Sequence, residues 1–266
     1  MSKPSAAPRP TARQALALAA ASVAFAIPLE LVHFPAAVLL GSMGAGIVVA
    51  LRSGALVVPT APFALAQGFI GCLMARAIGL DILAEIGRDW PVFLGGVCSV
   101  LIVSTVLGVL LARWKVLPGA TAVWGSAPGA AAVMVLMSEG YGGDPRLVAF
   151  MQYVRVMLVA VVASIVARFA GASGAAAAPI DWLPSTPLLP FVETVAIALA
   201  SAVIGVRFRI PAGPLLISLV VGAAFSASGL VAVTLPPWLM AICYALVGWS
   251  IGLRFTRDIL VYAARA

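Results

Sequence analysis

The chain has 266 residues, 63% of them hydrophobic and only 9% charged, where soluble domains carry about 25% charged residues. So few charges cannot cover a water-exposed exterior, which excludes an ordinary soluble enzyme, a disordered tail protein and a free DNA-binding domain. A mean hydropathy of +1.15 points instead to an all-α polytopic membrane protein.

Residues 1–13 form a basic tail expected in the cytoplasm, and a first membrane repeat is expected over 14–169. Its apolar runs fall at 14–31, 34–51, 60–78, 90–112 and 147–167. The first run carries an Ala24-Phe25-Ala26 pattern that imitates a signal peptide, but a second run follows at once, so it is read as a span. Between the fourth and fifth runs lies 119–138, whose Pro128-Gly129 centre interrupts any continuous helix. It is either a broken span or a re-entrant hairpin. A Gly/Ala/Pro-rich linker covers 170–187, and runs at 188–206, 213–229 and 237–253 belong to a second repeat over 188–266.

The chain repeats itself. Phe34-Pro35-Ala36 with Leu39-Leu40 matches Ile210-Pro211-Ala212 with Leu215-Leu216 at an offset of 176, while Gly71 matches Gly248 and Asp81-Ile82-Leu83 matches Asp258-Ile259-Leu260 at 177. Duplication of this kind is common in transporter folds. Charge decides its sense. With the N-terminus inside and 119–138 re-entrant, the cytoplasmic ends hold Lys3, Arg9, Arg13, Arg52, Arg113, Lys115, Arg146, Arg207, Arg209, Arg254, Arg257 and Arg265, against Arg76, Arg88 and Arg168 outside. A full crossing at 119–138 would divide the same charges seven to eight. Basic residues prefer the cytoplasm, so two inverted repeats, eight crossings and two cytoplasmic termini are expected.

Trp124-Gly125-Ser126-Ala127-Pro128-Gly129 is the segment richest in chemistry. A half-helix starting near Gly129 would aim free N–H groups and a positive dipole end into the protein, which suits an anion. The same small residues also suit plain helix packing. Arg155 lies nine residues into its run, roughly 13 Å deep, with Gln152 one turn before it and Gln67 of the third run as a further partner. A guanidinium at that depth either binds an anionic substrate or pairs with Glu139, Asp144 or carbonyls freed at Pro128. The loop from Glu139 to Arg146 turns the chain and caps the next helix. Cys72, Cys98 and Cys243 read as small core residues, and Trp90, Trp182, Trp238 and Trp249 as interfacial anchors. His33 is the only histidine, so no metal and no cofactor are expected.

The block Ala122-Val123-Trp124-Gly125-Ser126-Ala127-Pro128-Gly129, followed by Tyr141-Gly142-Gly143-Asp144-Pro145-Arg146 and then Gln152 and Arg155, resembles the AbrB-family membrane proteins. The resemblance implies a bacterial inner-membrane protein with an internal duplication, of a family labelled with ammonia monooxygenases or AbrB-type regulators. Ala130 stands where the family tends to have a second glycine, and the second repeat lacks a counterpart of 90–168, so it is expected to be incomplete. Oxidation of ammonia on copper or iron needs more ligands than one histidine offers. Direct DNA contact needs a soluble basic element, which no loop is long enough to form. The expected function is therefore transport of a small anionic metabolite, the alternative being a membrane regulator that affects gene expression indirectly. Expected partners are the lipid bilayer and a small anionic ligand, without nucleic acid; a homo-oligomer is left open.

Overall fold

A computed structural model describes residues 11–32, 34, 36–53, 56–77, 86–114, 119–129, 131–169, 182, 187–228 and 231–265. The N-terminal tail through residue 10, His33, Pro35, Asp81-Ile82-Leu83, Lys115, Ala130 and most of the linker 170–187 lie outside the described residues. Among the described residues there is no strand, residues 86–88 are helical, and eleven further α-helices have both ends defined. They are α1 (Ala12–Leu31), α2 (Ala37–Ser53), α3 (Thr60–Ala77), α4 (Trp90–Arg113), α5 (Gly119–Ser126), α6 (Ala131–Gly140), α7 (Pro145–Phe169), α8 (Leu188–Arg207), α9 (Gly213–Ala227), α10 (Pro237–Gly252) and α11 (Arg257–Arg265).

Four of these are long and apolar enough to cross a membrane: α1, α4, α7 and α8. Their 20 to 25 residues give lengths of about 30–37 Å, against a hydrocarbon core of about 30 Å. Within Ala37–Arg52, Gly213–Ala227 and Pro237–Gly252 lie shorter apolar helices. On α4, Val92, Ile102 and Val103 are 73%, 62% and 65% exposed. A face that apolar is tolerated by lipid and not by water.

The chain divides into two compact units. The first comprises residues 1–79 and 160–257, the second 80–159 and 258–266, so α7 runs from one into the other. In the first unit α2 packs on α1 and α10, while α3 packs on α8, α9 and α10. The entry to α1 is set by a capping box, in which Gln14 N–H donates to Thr11 Oγ1 and Thr11 N–H to Gln14 Oε1. Its core includes Leu18, Val49, Ala50, Leu56, Val58 and Leu253, with Trp249 packed against it. The Trp249 indole N–H donates to Ser22 Oγ at 2.7 Å, so this tryptophan is tied to a helix 227 positions away as well as sitting near a span end. Cys72 and Cys243 are core residues, whereas Cys98 lies on the exposed face of α4.

The helix boundaries of this unit recur. α1 and α8 both have 20 residues, and Ala12 to Leu188 and Leu31 to Arg207 are each 176 apart. α9 starts 176 residues after α2, from Ala37 to Gly213, and α10 starts 177 after α3, from Thr60 to Pro237. Ala36 and Ala212, just before α2 and α9, both hold left-handed backbone, with φ of 56° and 53°. A left-handed alanine costs about 1–2 kcal/mol, so the same strained turn stands at both places. In the second unit α4 packs on α5 and α5 on α6.

Candidate functional site

The site lies in the second unit, where the helical run that starts at Gly119 is broken. α5 ends at Ser126, residues 127–129 are not helical, and α6 resumes at Ala131. Pro128 causes this, because it has no N–H to donate and its ring clashes with the preceding turn. The break leaves the last carbonyls of α5 and the first N–H groups of α6 without helical partners.

α7 supplies what the carbonyls lack. Gln152 is fully buried, and its Nε2 donates to the carbonyls of Trp124 at 2.9 Å, Ala127 at 3.0 Å and Gly125 at 3.3 Å. One turn on, Arg155 Nη1 donates to Ala127 O at 2.8 Å and Nη2 to Gly129 O at 3.2 Å. The amide cannot be turned round, since its oxygen would then face three carbonyl oxygens. Gln152 Oε1 is therefore held as a buried acceptor with no hydrogen-bond partner among the described residues. Carbonyls at the Pro128 break are partners of Arg155, the arrangement that the sequence offered as the alternative to anion binding.

Close packing fixes the hairpin. A Cβ on Gly125 would collide with Met151 of α7, and one on Gly108 of α4 would collide with Ser126. The Ser126 hydroxyl donates to Ala122 O at 2.8 Å, so it is spent within its own helix. Trp124 is half-buried, its ring 5.6 Å from that of Tyr141. Thus Trp124, Gly125, Ser126, Pro128, Gly129, Gln152 and Arg155 come together. Gln67 belongs to α3 in the first unit, whereas Gln152 and Arg155 donate to hairpin carbonyls.

Asp144, at the start of α7, was legible only as a cap. Its carboxylate accepts from the N–H groups of Arg146 at 2.8 Å and Leu147 at 3.3 Å, and its own N–H donates to Thr121 Oγ1 at 2.9 Å. The Tyr262 hydroxyl of α11 also donates to it, and the Arg146 guanidinium stands 6.0 Å from the Tyr262 ring centre. Partial burial pushes the Asp144 pKa up. The hydrogen bonds from Tyr262, Arg146 and Leu147, together with the Arg146 charge, outweigh it and hold the carboxyl below its ordinary value. The same bond raises the Tyr262 pKa. Among the described residues no group of three or more His, Cys, Asp or Glu is gathered that could hold a metal.

Comparison with known proteins agrees with the block of residues around the break. The family model described as "Transition state regulatory protein AbrB" matches residues 38–266. A protein of Escherichia coli (strain K12) named "Putative regulator AbrB" is 41% identical over 236 residues, covering 88% of this chain and 68% of that protein. No solved structure matches the chain. With its long lipid-compatible helices and a match over most of its length, the chain is a membrane protein that belongs to the AbrB family.

Proposed function

We propose that the protein is a secondary carrier of the bacterial inner membrane, built on two inverted repeats of which the second is incomplete, with a re-entrant hairpin at 119–138 that handles a small anionic metabolite. Reciprocal packing in the first unit supports the repeats. A Cβ on Gly71 of α3 would collide with Ser218 Oγ and the Leu215 carbonyl of α9, and one on Gly248 of α10 with Ser42 Oγ and the Leu39 carbonyl of α2. These contacts exchange under the 176–177 offset, as two interlocked copies of one motif would. Both termini are then cytoplasmic.

The observation that carries the carrier reading is the clamp on the break. Arg155 spends two N–H groups on hairpin carbonyls, leaving three of the five donors of a guanidinium. The N–H groups opening α6 and its dipole add to the positive character there. A carboxylate suits those donors. Transport proteins use broken helices in this way, with irregular backbone where a ligand binds.

The names of the family and of the relative, both regulators, favour a second reading, a membrane regulatory protein; any effect on gene expression would then be indirect. Uptake separates the two. Vesicles containing the full chain, offered a panel of radiolabelled small mono-, di- and hydroxycarboxylates, are expected to accumulate at least one above protein-free vesicles. Accumulation of none would leave the regulatory reading.

A further inference from the structure

Two grooves in the first unit, each of about 420 Å³, occupy equivalent places. One runs between α1 and α10, the other between α8 and α3. Val23, Ala26 and Ile27 line the first where Leu199, Ala202 and Val203, each 176 residues on, line the second. Likewise Ala64 and Leu65 of the second stand 177 residues before Ala241 and Ile242 of the first. Both walls are apolar, and the Ser22 hydroxyl in the first is already engaged by Trp249 and by the Leu18 carbonyl. Each groove accommodates hydrocarbon.

The grooves differ in charge. The first includes Glu30; the second includes Arg207, the exposed last residue of α8. We propose that the α3–α8 groove is a binding site for an anionic phospholipid of the bilayer, with an acyl chain along Ala64, Ala202 and Val203 and the phosphate at Arg207. Hydrocarbon in such a groove gains little over hydrocarbon in the bilayer, so the headgroup decides occupancy. A basic residue at a cleft between membrane helices selects anionic headgroups. The α1–α10 groove has a similar volume and an apolar lining, but Glu30, and no basic residue, stands among the residues that line it. Placing Arg207 in the cytoplasmic leaflet rests on the inverted-repeat reading above; the binding site itself does not.

The test is native mass spectrometry of the detergent-purified full chain with equal amounts of phosphatidylglycerol and phosphatidylethanolamine. The wild type is expected to retain one phosphatidylglycerol preferentially. Arg207→Gln should weaken that retention about fivefold or more, and Arg207→Lys should preserve most of it. Val203→Trp should block it by filling the groove from a position 65% exposed, whereas Ile27→Trp at the equivalent, 52% exposed position should not. Equal retention of both lipids by the wild type would overturn the proposal. So would wild-type retention in Arg207→Gln or Val203→Trp variants whose melting curves show them folded, or an equal loss in Ile27→Trp. Neither Arg155 nor uptake enters this test, so its failure is distinct from failure of the carrier reading.

Discussion

Replacing Gln152 by leucine preserves bulk while removing the amide that spans the broken hairpin. The carbonyls of Trp124 and Gly125 lose their donor, while that of Ala127 keeps Arg155 Nη1. Two amide hydrogens serve them, so about two net hydrogen bonds are lost, worth about 1 kcal/mol each in water and nearer 0.6 kcal/mol between membrane helices. Stripped carbonyls in an apolar site add about 1–3 kcal/mol, and deleting the orphaned Oε1 returns part of that. The net cost is about 2–3 kcal/mol, confined to α5, α6 and their contact with α7. Hydrogen–deuterium exchange of the purified protein reads it directly. Amides of 119–140 should exchange roughly 30- to 150-fold faster, while those of α8, α9 and α10 should not change. Unaltered exchange in the hairpin would refute the clamp.

Asp144 holds its carboxyl below the ordinary value, so it adds stability that is complete above the unfolded pKa of about 3.9 and disappears as pH falls through the lower folded value. Melting temperature should therefore fall below about pH 4, and Asp144→Ala should both flatten that acid limb and cost about 1 kcal/mol through loss of the α7 cap. Gly71→Ala and Gly248→Ala should each destabilise by about 1–3 kcal/mol by overpacking, with similar losses at the two equivalent sites; a loss at one alone would argue against interlocked repeats. Reporter fusions after Leu117 and after Glu139 should report one and the same, cytoplasmic side of the membrane, whereas opposite sides would make 119–138 a full crossing.

The helices were legible because apolar runs of span length end at charges, prolines and glycines. Leu188 to Arg207 is one case, bounded by Pro187 and a terminal arginine. The break was legible too, since Pro128-Gly129 leaves few alternatives. What completes the break was not. Gln152 and Arg155 bind backbone carbonyls, and a carbonyl leaves no residue type in the sequence to point to it. Side-chain partners such as Gln67 therefore looked equally good on paper. Long-range pairs were invisible for a different reason: Tyr262 meets Asp144 across 118 positions and Trp249 meets Ser22 across 227, distances at which spacing carries no signal. The groove pair was half legible, because the 176–177 offset is in the sequence while the cavity is not.

Whether the hairpin held by Gln152 and Arg155 binds an anion is decided by substitutions at Arg155 itself. Ligand binding and detergent melting temperature should be measured together for the wild type, Arg155→Lys and Arg155→Gln, using the carboxylate that vesicles accumulate. Lysine keeps the charge but loses the planar fork, so affinity should fall while some binding remains. Glutamine should abolish binding at a modest cost in stability, because an intramembrane charge that is expensive to bury leaves with the carbonyl contacts. A purely structural arginine would give the opposite pattern: a large drop in melting temperature for Arg155→Gln with ligand binding per folded molecule intact, and that result would contradict the account.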